Sequence, residues 1–171
     1  MASLMEELID VLEKENQEYE KLLKLSMRKS DAVALRNVAQ IEQITDEEQI
    51  VATDITRLDS KREEVTKDIA NVLNKDVESL KLSVLVELMS RQPAEQKRLS
   101  DIHDKLKETV HRVKMVNENN AKLIAEALEM VEFDMNLLRS LRQAPQTANY
   151  GRNAVNAGAE LGAVKGFDAK Q

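Results

Sequence analysis

The residues able to do chemistry are few. Glu108-Thr109-Val110-His111 sets a carboxylate and an imidazole three apart, the Glu-x-x-His spacing with which carboxylate-bridged di-iron bundles hold metal on one helix face. Such a site needs a second Glu-x-x-His and inward glutamates on facing helices. The other histidine, His103, has Ser100 three residues before it. The two imidazoles would stand roughly 12 Å apart along a helix, too far to share one ion. His111 also follows Val110 of the apolar seam by one position, so a solvated face is its expected place. There is no cysteine for a thiolate site, no glycine-rich loop after a strand and no Ser/His/Asp arrangement. The expectation is a non-enzyme with neither metal nor cofactor.

The elements that could carry any other function are helices. Positions 1–92 hold neither Gly nor Pro, aromatic residues make up 2% of the 171 and charged ones 33%. That balance suits long thin helices with a core of Leu, Ile, Val, Met and Ala. The net charge of −6, with no Lys/Arg block, excludes nucleic acid as the expected partner. No apolar run approaches the roughly 20 residues that span a bilayer, and the acidic start MASLMEELID lacks the character of a signal peptide. A soluble cytoplasmic protein without membrane insertion is expected.

Ser3 and Glu6 suit a capping box for a first helix whose seam runs Met5, Leu8, Leu12, Tyr19 and Leu22, interrupted by Glu15. The apolar face is lost near Met27-RKSDAVAL, which places a turn there with Ser30 or Asp31 as the next N-cap. A second helix from about residue 31 to 75, roughly 67 Å long, carries Ile41, Ile44, Val51, Ile55, Leu58, Val65, Ile69 and Val72. Only Glu48 and Arg62 break that series. A connection and short helix follow, with Ser79 as cap and Leu80, Leu82, Leu85, Leu88 and Met89 as apolar positions. Pro93 opens a third long helix, with the seam Leu99, Leu106, Val110, Val113, Asn117, Asn120, Ile124, Ala127, Val131, Asp134, Leu138 and Leu141. The spacing predicts an all-α fold: an elongated antiparallel bundle of three long helices over 1–144, a short helix before the third, and a flexible tail over 145–171.

Two features of this chain bear on binding. Asn117 and Asn120 at successive seam positions suit register control, as buried asparagines do in coiled coils, or the border of a partner groove. Asp134 weakens the seam further on, so Ile124, Leu128, Val131, Met135, Leu138 and Leu141 can face a partner or a second copy. The tail carries all four glycines and an apolar stripe Tyr150, Ala154, Ala157, Leu161, Val164, Phe167. Three glycines in a helix interior cost about 3 kcal/mol relative to alanine, so the tail is expected to be disordered alone and to fold against a surface. Tyr150, Leu161, Val164 and Phe167 are its candidate anchors.

The chain resembles the FlgN family of flagellar type III export chaperones. The likeness runs through Leu8, Leu12, Glu15, Tyr19 and Leu22-Leu23, then Ile41, Ile55, Leu58 and Arg62, then Asn117-x-x-Asn120-x-x-Leu123-Ile124 with Leu128, and last Tyr150-Gly151 and Phe167-Asp168-x-Lys170. It implies a cytosolic helical chaperone that binds hook-associated, or hook-filament junction, proteins, prevents their premature assembly and delivers them to the flagellar export gate. It further implies that the C-terminal helix and tail bind these partners and that Tyr150 docks on the gate's cytoplasmic domain. The alternative from the residues alone is a structural coiled-coil bundle that self-associates, as a homodimer for instance.

Overall fold

A computed structural model describes residues 2–77, 80–89 and 92–143, and its long elements are all helical. These are α1 (Ala2–Ala34), α2 (Val38–Leu73), the short α3 (Leu82–Leu88) and α4 (Pro93–Gln143). The chain divides into two compact units, residues 1–129 and 130–171. The first holds the bundle core, and the described part of the second, 130–143, is helical. The expected tail over 145–171 lies outside the described residues, as does Ser79.

Helix ends differ in two places from the sequence expectation. α1 begins at Ala2, so Ser3 lies within it rather than capping it. It also continues past Met27 to Ala34, because the apolar face gives way to small residues rather than stopping: Ser26 and Ala32 are fully buried, and Val33 nearly so. The turn is then made without glycine. Arg36 takes the left-handed conformation at φ 53°. Its N–H donates to the Val33 carbonyl at 3.0 Å, and that of Asn37 to Ala32 at 2.9 Å, the paired bonds of a Schellman ending. Asn37, in place of Ser30 or Asp31, caps α2, its Oδ1 accepting from the Gln40 N–H at 3.2 Å. Asn74, at φ 50°, ends α2 in the same way, with the Lys75 N–H reaching the Ala70 carbonyl at 3.0 Å.

Cross-helix pairs set the directions. Lys61 meets Glu7, and Arg28 meets Glu47, so α1 and α2 are antiparallel, and among the described helices theirs is the most extensive close backbone packing. Arg98 meets Glu13, and Lys105 meets Glu20, so α4 runs parallel to α1 and against α2. The main core lies where α1 and α4 begin and α2 ends. There Met5, Leu8, Ile9 and Leu12 pack with Val65, Ile69, Leu99, Ile102 and Leu106, closed by Leu80, Leu85 and Met89 from the connection and α3. Gln96 ties α4 to α3, its Nε2 donating to the Val86 carbonyl at 2.9 Å. A smaller cluster of Leu25, Ala32 and Ile44 closes the other end of the α1–α2 hairpin.

The α2 seam is as the heptads predict at Ile44, Ile55, Val65 and Ile69, which are buried, whereas Val72 is exposed. The α4 seam is shifted in its middle. Thr109 and Val113 are buried while Val110 is exposed, giving Leu99, Ile102, Leu106, Thr109 and Val113 in alternating threes and fours. Thr109 tolerates burial because its hydroxyl donates to the Lys105 carbonyl at 2.9 Å, leaving its methyl to pack.

Candidate partner-binding surface

Polar side chains interrupt the seams, and they meet one another. Glu15 of α1 faces Arg62 of α2, Oε2 to Nε at 3.6 Å, with the carboxylate side chain 4% exposed and the guanidinium 30%. Asp59 completes the group by pairing with Arg62. Burial pushes the Glu15 carboxyl above its ordinary range; Arg62 opposes that shift and Asp59 adds to it. Burial likewise raises Tyr19, helped by the charge of Glu15. Glu20, by contrast, is held low by its hydrogen bonds with Lys105 and Asn16. Glu15 Oε2 and the neighbouring Asn16 Oδ1 are buried without a hydrogen-bond partner among the described residues.

The second polar layer fixes α4 on the hairpin. Asn120 is 3% exposed; its Nδ2 donates to the Ser26 carbonyl at 2.7 Å, and its Oδ1 accepts from the Ser30 hydroxyl. Ser26 Oγ donates to Glu48 at 3.0 Å, and Lys29 pairs with the same carboxylate. Glu48, one of the two breaks in the α2 seam, is thereby satisfied. Asn117 is exposed, so of the two asparagines only Asn120 enters the interface, in step with the one-residue shift of the seam at Thr109. A buried amide with both ends bonded resists sliding by a turn, since any slip leaves its polar atoms unpaired.

Beyond Asn120 the inward face fades. Leu123 and Ala127 are partly buried, and every described residue from Leu128 to Gln143 is exposed. The candidate binding residues fall here: Ile124 is 36% exposed, Leu128 63%, Val131 53%, Met135 46%, Leu138 54% and Leu141 65%. The first five recur at steps of four and three, which puts them on one helix face. So many apolar side chains on one exposed helical stretch make a patch of the kind that marks an interaction site. Phe133 and Leu137, also exposed at 68% and 49%, were not among the candidates. Their spacing of four, continued to Leu141, is the signal that would have found them. Tyr150, Leu161, Val164 and Phe167 lie outside the described residues.

His111 is exposed, and His103 rests beside Asp104 with Nδ1 to Oδ1 at 3.0 Å. Among the described residues no group of His, Asp or Glu is placed to hold a metal ion, and no helix is long and apolar enough to cross a membrane. The chain is matched over residues 1–158 by the family model described as FlgN protein. Neither the curated proteins nor the solved structures gave a significant match.

Proposed function

The chain belongs to the FlgN family, non-enzymatic flagellar export chaperones for hook-associated proteins, and we propose that it holds those partners on the outer face of α4 and the tail. The seat is Ile124, Leu128, Val131, Met135, Leu138 and Leu141, joined by Tyr150, Leu161, Val164 and Phe167. One observation carries the reading: these α4 residues are exposed together on a helix whose earlier turns are buried at the same spacing. Covering a half-exposed Leu, Val or Met contributes about 1 kcal/mol, so the six give about 6 kcal/mol gross. Association alone costs about 4–15 kcal/mol. The helix face therefore binds weakly unless the tail adds its anchors, which suits a chaperone that must let go.

The test is capture of a purified hook-associated protein by the full chain. Val131→Asp/Leu138→Asp and deletion of 145–171 should each weaken capture at least tenfold while circular dichroism still reports a folded bundle. Full-strength capture by both would remove this surface from the mechanism. Tyr150 is also the docking residue for the cytoplasmic domain of the export gate in this reading, so Tyr150→Ala should lower gate binding more than cargo binding, which Leu161, Val164 and Phe167 still anchor. The cytoplasm is its place of action, where export substrates wait. The same apolar face also fits a second copy of the chain. Light scattering across a concentration series distinguishes a homodimer from a monomeric chaperone.

A further inference from the structure

The exposed apolar residues of α4 form two rows. At about 100° per residue, Leu128, Val131, Met135 and Leu138 cluster within a narrow arc. Phe133, Leu137 and Leu141 form a second row centred roughly 140° away around the helix. One helix laid along the first row leaves the second in water, free for an occupant of its own.

We propose that residues 150–167 fold back as a helix, antiparallel to 130–143, and cover Phe133, Leu137 and Leu141 of the same chain. Length and position favour this occupant. α4 is described to Gln143, and the six residues between it and the stripe, 144–149 with Pro145 among them, match the length that joins antiparallel helices. The stripe from Tyr150 to Phe167 would run about 27 Å as a helix, against about 21 Å for 130–143, so it reaches past the whole row. The apolar stripe also falls close to the row. Counting outward from the middle of the connection, Leu141, Leu137 and Phe133 come level with Arg152, Asn156 and Glu160, one or two residues before Ala154, Ala157 and Leu161 of the apolar stripe.

Attachment supplies the rest. A helix carrying Gly158 and Gly162 does not form alone, but tethering by six residues gives it a high effective concentration at this row. A partner in solution, or a second copy, has no such advantage. The arrangement leaves the first row open in the free protein, and cargo that engages Leu141 and the tail anchors, as in the proposed function, would displace the folded-back tail. The inference concerns the free protein, and it can be tested with no cargo present.

The absence of cysteine allows a clean cross-link. Leu137→Cys/Ala157→Cys in the full chain should close an intramolecular disulfide under mild oxidation, seen as loss of both thiols without a dimer band. Arg139→Cys/Ala157→Cys, on the opposite side of α4 from the row, should react at least tenfold more slowly. Equal rates for the two pairs would mean an unseated tail, and a disulfide-linked dimer would mean a second copy on the row; either overturns the proposal, as does no disulfide at all. Hydrogen exchange adds a reading without cysteines: protection within 150–167 should be present in the native chain and lost in Leu137→Asp/Leu141→Asp, and an unprotected native tail refutes the fold-back.

Discussion

Replacing Arg62 with alanine takes the cation away from a carboxylate that is already short of partners. Glu15 Oε2 has no hydrogen bond and stands 3.6 Å from Arg62 Nε. Stripping one member from a fully buried pair costs about 3–5 kcal/mol. The Arg62 side chain is 30% exposed, so water screens part of the interaction, and about 2 kcal/mol is expected near neutral pH. In the Glu15→Gln background no charge is left behind, and the same replacement should cost only about 0.5–1 kcal/mol for the lost stem packing. The coupling of about 1 kcal/mol or more would be read from urea unfolding followed by far-UV circular dichroism. Its pH dependence has a definite sign. The folded-state pKa of Glu15 is raised by burial, so its contribution to stability is fully present below the unfolded pKa of about 4.3 and is lost as pH rises through the folded value. Removing Arg62 lifts that value further. The deficit of Arg62→Ala should therefore be small near pH 4 and grow toward pH 7. An equal cost in both backgrounds and at both pH values would refute the account of a stranded carboxylate.

The two asparagines of α4 should behave differently. Asn120→Ala removes both bonds between α4 and α1, leaving the Ser26 carbonyl and Ser30 hydroxyl only their bond to each other, and should destabilise by about 1–2 kcal/mol, whereas exposed Asn117→Ala should stay within about 0.5 kcal/mol, both read by the same unfolding assay. Asn37→Ala removes the only described cap of α2 that uses a side chain and should cost about 1 kcal/mol, with Asn37→Ser restoring most of it.

Much of this was legible in the sequence. A heptad series as long as that of α2 tolerates two polar breaks and still points to one face, and Pro93 marks the start of α4 without ambiguity. What resisted reading has a physical origin in each case. Ser26, Ser30 and Ala32 look like a faded apolar face because burial of small side chains follows from close helix approach, which sequence spacing does not report. The shift from Val110 to Thr109 arises because both residues fit a seam of threes and fours, and only packing chooses between them. Once the seam moves, Asn120 keeps its place in the interface and Asn117 leaves it. Glu15, Glu48 and Arg62 each appeared as defects of a single helix; their meaning lies in pairs across helices.

The parallel placement of α4 beside α1 also orders assembly. Contacts within the α1–α2 hairpin, such as Arg28 to Glu47, join residues 19 apart, while Asn120 and Ser26 are separated by 94. From the unfolded chain the longer loop costs about 1.4 kcal/mol more to close. With the hairpin already formed, the third long helix is tethered only through the short segment containing α3, and closing onto a ready surface becomes cheap. The expected order is the hairpin first, with α4 closing onto it. The helix that carries the exposed rows is also the one held by side-chain contacts rather than close backbone packing, with Asn120 fixing its register.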